Sequence, residues 1–205
     1  MNMQIYINIS EQIYLYLRFF YHANRGSRVC VYNLINSLGL TVVLLLQMST
    51  SVVYYTSPIG ILAISSKEDL ITSVLFTETV GQSLESSILS NAVEQLDEYF
   101  ANKRNVFDLP LAPEGTDFQK RVWNELLTIP FGKTTTYLDM AKRLGDEKVI
   151  RAAASANGKN PIAIIIPCHR VIGSDGKLTG YAGGLWRKKW LLKHEGVSSQ
   201  VDLFS

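Results

Sequence analysis

From Met48 onward the apolar and polar positions fall into short, regular runs. Ser51–Thr56, Gly60–Ser66 and Leu70–Phe76 are rich in β-branched and aromatic residues. Between the first two, Ser57-Pro58-Ile59-Gly60 places Pro and Gly where a type I turn uses them. These runs predict an antiparallel meander. Ser86–Asn102 then changes period, with Leu89, Val93, Leu96 and Phe100 at helical spacing, and predicts an amphipathic helix covering one face of the sheet. The result is a small α+β unit with no evident chemistry of its own. Pro110 and Pro113 mark Phe107–Glu114 as a linker.

The second half reads as helices. Thr116-Asp117-Phe118-Gln119 is a capping box, opening a helix through Phe118, Val122, Leu126 and Leu127 that ends at Pro130. A further helix starts at Thr136, runs to Leu144 and stops at Gly145. Asp146 caps the next, Glu147–Asn157, closed by Gly158. Two short helices across a glycine turn make a helix-turn-helix arrangement. On the second of them, Val149, Ala152, Ala153 and Ala156 are expected to be buried, leaving Lys148, Arg151 and Ser155 exposed. Such small side chains let a backbone approach a surface closely, with Arg151 the longest group at the centre of the contact.

Reactive chemistry concentrates in one stretch. Ile162–Ile166 is β-branched and almost wholly apolar between Pro161 and Pro167, and predicts a short buried extended segment. It delivers Cys168, the chain's most reactive side chain, beside His169, its best proton acceptor. A thiol there is either inert packing or a nucleophile. Glu195 ends a helix predicted over Leu185–Glu195, where the helix dipole disfavours an acid, so a dedicated partner is expected for it.

Composition adds limits. The 205 residues, 47% apolar and 19% charged, are those of an ordinary globular protein. The net charge of +2 hides an asymmetry: residues 48–113 are acidic, and residues 114–205 are basic, so a polyanion would meet the C-terminal half. With two cysteines, Cys30 and Cys168, and three histidines, neither a disulfide framework nor a four-ligand zinc site is expected, and a working thiol suits a reducing, intracellular compartment. Residues 1–47 differ from the rest. Their uncharged stretch Val29–Leu46 is shorter than the ~20 residues of a membrane span and is broken by Asn33, Asn36, Ser37 and Gly39. A secretory signal would carry its basic residues nearer the start. The adopted reading is an extension preceding a true start at Met48.

From Gly115 to Gly196 the chain closely resembles the alkylguanine-DNA alkyltransferases. The resemblance rests on Gly115-Thr116-Asp117-Phe118-Gln119, Val122-Trp123, Ile129-Pro130-Phe131-Gly132-Lys133-Thr134, Tyr137, Arg151-Ala152, Ala156-Asn157-Gly158-Lys159-Asn160-Pro161, Ile166-Pro167-Cys168-His169-Arg170-Val171-Ile172-Gly173, Gly180-Tyr181-Ala182-Gly183-Gly184 and Leu191-Leu192 before Glu195-Gly196. In this order and spacing the signal is very specific; a weaker likeness begins at Met48. It implies an α+β protein: an N-terminal antiparallel sheet with a helix, ribonuclease-H-like, over 48–108, then a mainly helical winged-helix or helix-turn-helix-like part over 114–198 carrying the Pro-Cys-His-Arg motif.

The resemblance also implies a function. Cys168 takes an alkyl group from the 6-oxygen of guanine in DNA, and from the 4-oxygen of thymine, and keeps it, so each molecule acts once. His169 is the base, working through a bound water and oriented by Glu195; Tyr137 donates a proton toward the guanine; Lys188 lies near the site. Arg151 fills the place of a base flipped out of the duplex, from the minor groove, with Lys148 and Ser155 beside it and Asn160 bridging the helix to the cysteine motif. Asn157, Val171, Tyr181, Ala182 and Gly183 form the substrate pocket, in which backbone N–H groups reach the base oxygen and the carbonyls of Cys168 and Val171 accept its exocyclic amine. No cofactor and no metal are implied, and the partner is double-stranded DNA, met by a monomer in the cytoplasm or nucleus. His194 has no role in the pattern.

Position 163 is Ala where some relatives have a second proline, which predicts a roomier pocket. Two other readings keep the same residues. A module that flags damaged DNA without repairing it would lack Cys168, and a cysteine hydrolase using Cys168, His169 and Glu195 would turn over repeatedly.

Overall fold

The computed structural model describes residues 50–197, so the reading of residues 1–47 lies outside the described residues. The expected meander is present as β1 (Ser51–Ser57), β2 (Gly60–Lys67) and β3 (Leu70–Thr77), in the order β1-β2-β3 and antiparallel throughout. The β2–β3 turn places Glu68 and Asp69 at φ 51° and 58°, the double left-handed geometry whose twist suits a two-residue hairpin. Leu62 and Ile64 from β2 and Ile71 and Val74 from β3 are fully buried. Helix α1 (Ser87–Phe100) lays Leu89, Ala92, Leu96 and Tyr99 on that core. Each buried Leu is worth about 1.5–3 kcal/mol, and the Tyr55 hydroxyl adds a 2.7 Å hydrogen bond to Asp97 across the same interface.

The open edge of β3 is covered by two distant segments. Ile71 donates to Pro110 O at 2.8 Å and accepts from Ala112 N at 2.8 Å, so the expected linker runs along the strand as a short parallel addition. Further on, Val74 donates to Pro161 O and accepts from Ala163 N, each at 2.9 Å. A sheet edge that would otherwise present unpaired backbone groups is thereby closed, and the cysteine-bearing stretch is fixed to the sheet.

Beyond this pairing, Ile162–Ile166 differs from the extended segment expected. Ile164 has φ 71°, Ile165 donates to Ala163 O at 2.8 Å, and Ile166 donates to Ile162 O at 3.0 Å. The chain makes a tight, fully packed turn. A β-branched residue in that conformation costs on the order of 1–3 kcal/mol. Asn160 offsets the cost by accepting from Ile162 N at 3.0 Å and donating to Ile166 O at 2.8 Å. Apolarity was legible; direction was not.

Helix α2 (Asp117–Leu127) starts at the full capping box, with Thr116 and Gln119 bonded reciprocally. Helix α3 (Tyr137–Arg143) is capped by the Thr136 side chain. The helix expected over Glu147–Asn157 is a 3-10 turn, Glu147–Val149, followed by α4 (Ile150–Gly158). With three residues per turn the first segment is out of phase with an α-helix. Ala152 is therefore exposed rather than buried, and the inward face is Ala153, Ala156 and Asn157. Trp123 locks α2 to α4 by donating to Ala156 O at 2.9 Å. Strands β4 (Thr135–Thr136) and β5 (Val171–Ile172) pair in parallel, and α5 (Leu185–His194) closes the described chain. Among the described residues no helix is long and apolar enough to cross a membrane.

Candidate active site

Cys168 opens a 3-10 turn, Cys168–Arg170, immediately after Pro167 and before β5. Its side chain is buried against a cavity of about 210 Å³ whose walls include Phe76, Asn157, Asn160, Ala163, Tyr181 and Gly183. Burial pushes the thiol up, while a hydrogen bond from Asn160 and the charge of Lys188 pull it down. A more open groove of about 550 Å³, with Tyr137, Arg151 and Thr179 along it, shares Gly158, Tyr181 and Ala182 with the cavity. The cavity at Cys168 and the groove beside α4 thus meet at these three residues. A separate hollow of about 500 Å³ lies behind Arg170 and Pro167, away from Cys168.

His169 is completely buried, and its Nε2 lies 2.8 Å from Glu195 Oε1. A carboxylate can only accept, so Nε2 carries the proton and Nδ1 is the basic nitrogen. Nδ1 is buried with no partner among the described residues. Burial lowers the imidazole's pKa more than Glu195 raises it, which keeps the ring neutral and able to take a proton. For Glu195, burial alone would raise the carboxyl, but the hydrogen bonds of His169 and Arg170 and the charge of Arg170 hold it well below the usual carboxylate range.

Glu195 has partners that the sequence reading missed. Arg170 donates from Nε to Oε2 at 2.9 Å and from Nη2 to Oε1 at 3.0 Å, Tyr99 donates at 2.9 Å, and Gly132 N at 3.3 Å. Arg170 stands within the quoted motif and could have been noticed there. Tyr99 could not: it is three positions beyond Leu96 on an ordinary helix face, in the part that seemed to carry no chemistry. His194 is structural, bonded to Tyr99 O at 2.9 Å and stacked on Trp190.

Lys188 is also fully buried, not a solvated charge. Its Nζ donates to Val171 O at 2.7 Å and Thr179 O at 2.6 Å, and burial lowers its pKa to about 8. The Val171 carbonyl expected to receive the base therefore already accepts from an ammonium. Tyr137, its phenol pushed up by burial, receives a 3.3 Å hydrogen bond from Asn157. Lys148, Arg151 and Ser155 are exposed together on the turn and helix leading from Asp146.

Arg187 supports the pocket wall from behind and was also missed. It stacks on Phe76 and Trp186, at 4.4 and 4.5 Å, and donates to Ile59 O and Gly183 O, both at 2.7 Å. This ties the loop before α5 to the sheet. A Cβ on Gly183 would come within 2.7 Å of the Phe76 ring, so the approach requires glycine. Among the described residues no cluster of His, Cys, Asp or Glu could hold a metal ion.

Comparison with known proteins gives a consistent picture. Residues 117–197 match the family model described as 6-O-methylguanine DNA methyltransferase, DNA binding domain, and residues 52–113 match that of its ribonuclease-like domain. A methylated-DNA–protein-cysteine methyltransferase of Methanosarcina acetivorans is 48% identical over 149 residues, covering 69% of this chain and 96% of that protein. The crystal structure of Mycobacterium tuberculosis O6-methylguanine methyltransferase superposes with a TM-score of 0.67 at 43% identity, over 73% of this chain and 94% of that one. A structure of the same organism's protein in complex with DNA gives 0.65 at 45%, over 72% and 92%.

Proposed function

Because the chain belongs to the 6-O-methylguanine DNA methyltransferase family, we propose that it repairs alkylated DNA by moving a methyl or larger alkyl group from the 6-oxygen of guanine onto its own Cys168. The protein binds DNA and is a methylated-DNA–protein-cysteine methyltransferase. The observation that carries the residue assignment is the buried Cys168 on a cavity that adjoins the Arg151 groove, beside a histidine whose only unpaired nitrogen is basic.

The geometry supports the following steps. Arg151, with Lys148 and Ser155 around it, meets the minor groove and takes the place of the alkylated nucleotide, whose unstacking costs a few kcal/mol. The base enters between Tyr181–Gly183 and Asn157. His169 Nδ1 accepts the Cys168 proton through a bridging water, and Glu195 holds the imidazolium that results. Lys188 stabilises the thiolate. The sulfur attacks the alkyl carbon in line; the S–C bond forms, the C–O bond breaks, and the electron pair leaves on guanine, which takes a proton from Tyr137. The thioether remains, so one molecule repairs one lesion. The sheet and helix of 48–108 support the transfer machinery of 114–198, and a monomer suffices. The site works where DNA is held and thiols stay reduced.

Duplex DNA carrying methyl-labelled O6-methylguanine tests this. One label per protein, on Cys168 and absent from Cys168→Ala, is the expected outcome. Repeated turnover, or binding without transfer, would overturn it.

A further inference from the structure

Asn157 ends the helix that presents Arg151, yet it is only 2% exposed and lines the Cys168 cavity. Its Nδ2 lies 3.3 Å from the Tyr137 hydroxyl and 3.4 Å from Cys168 O. A carbonyl oxygen can only accept, so the atom facing it must be the amide nitrogen. The Tyr137 oxygen therefore accepts from Asn157. Having accepted from Asn157, the phenol keeps its own O–H for another partner. The other end of the amide, Oδ1, is a buried acceptor with no partner among the described residues.

Resting on the alkyl-transfer reading, we propose that Asn157 is a positioning and specificity residue: its Nδ2 aims the Tyr137 proton at the seated base, and its unpaired Oδ1 accepts the exocyclic amine of that base. Leaving a buried acceptor unpaired is costly, so a base lacking the amine is disfavoured. Nδ2 also donates to the Cys168 carbonyl.

The test is single-turnover transfer from duplexes carrying O6-methylguanine or O6-methylhypoxanthine, which lacks the exocyclic amine. The proteins are the full chain, Asn157→Leu, Tyr137→Phe and the double variant. Wild type is expected to prefer the amine-bearing base by about tenfold, the scale of one neutral hydrogen bond. Asn157→Leu should lower the limiting rate on O6-methylguanine by about tenfold with half-saturating DNA nearly unchanged, and erase the preference. On O6-methylhypoxanthine, which offers no amine, the same change should cost less than about twofold in the Tyr137→Phe background, since there the residue can act only through the phenol. Independent, multiplying effects of the two changes on O6-methylhypoxanthine, or a preference that survives in Asn157→Leu, would overturn the proposal. Asn157→Ser carries the same comparison if the leucine variant fails to fold. Failure of the wild type to transfer at all would instead sink the alkyl-transfer reading.

Discussion

Glu195 collects hydrogen bonds from Tyr99, Gly132, His169 and Arg170, and this fixes what its loss would do. Glu195→Gln leaves the buried Arg170 guanidinium without its counter-charge, at a cost of about 3–5 kcal/mol, visible as a lower urea midpoint at pH 7. The site also gives stability a pH dependence of determined sign. His169 has a folded pKa lowered below 6.5, so the unfolded chain binds the extra proton and stability declines as pH falls through 6.5. Glu195, held far below 4.5, adds a second loss as pH falls beneath that value. The melting temperature should therefore drop in two stages on acidification, and His169→Gln should remove the first. A flat profile between pH 7 and 5 in the wild type would contradict the buried neutral imidazole.

Lys188 governs the alkaline side. Below about pH 8 its ammonium favours the Cys168 thiolate across the site. Lys188→Met should raise the thiol's pKa, so that transfer at pH 7 falls by about tenfold and recovers partly at pH 9. Equal loss at both pH values would mean that Lys188 only braces Val171 and Thr179. Cys168 and His169 were legible as a pair because they are adjacent in sequence. That Lys188 is buried was not, since Arg187 and Lys189 beside it look like a solvated basic cluster.

The elements divide along the same line between local and distant causes. Caps depend on residues within one turn, and Thr116, Gln119, Thr136 and Asp146 are where the sequence places them. The three strands were equally readable, because alternation and turn residues are local signals. What escaped was set by partners far along the chain: the pairing of β3 with 110–112 and 161–163, and the turn at Ile164. Two substitutions separate these causes. Thr116→Ala removes one exposed cap and should cost about 1 kcal/mol with transfer unchanged. Asn160→Ala removes the side chain that holds the Ile162–Ile166 turn and bonds toward Cys168, and should cost about 2–3 kcal/mol while slowing transfer at least tenfold. Denaturant melts and single-turnover rates on both variants provide the check; slow transfer by Thr116→Ala would break the distinction.

At the scale of the described molecule, the part that seemed to lack chemistry supplies structure to the part that has it. Tyr99 from α1 donates to Glu195, Phe76 from β3 walls the cavity, Ile59 O receives Arg187, and β3 is bonded through Val74 to the stretch before Cys168. These links cross from the ribonuclease-like match to the DNA-binding match, and they meet the site at its base, its wall and its relay. Composition shifts and proline spacing can suggest a boundary between such parts, but they carry no information on hydrogen bonds across it. Two consequences follow. Unfolding of residues 48–205 should be a single transition, with tryptophan fluorescence, which reports Trp123, Trp186 and Trp190, coinciding with far-UV circular dichroism, which also reports the sheet. A fragment starting at Glu114 should retain little transfer, because Glu195 loses the Tyr99 hydrogen bond, the cavity loses Phe76, and Ile162 loses the strand it pairs with. Separate transitions in the two signals, or near-normal transfer by the fragment, would show that the sheet is a passive neighbour. Tyr99→Phe refines the outcome: it keeps the ring packed against Phe107 and Phe131 and removes only the donor to Glu195. If the sheet acts through that hydrogen bond, this single hydroxyl should slow transfer by a few-fold while the two unfolding signals continue to coincide.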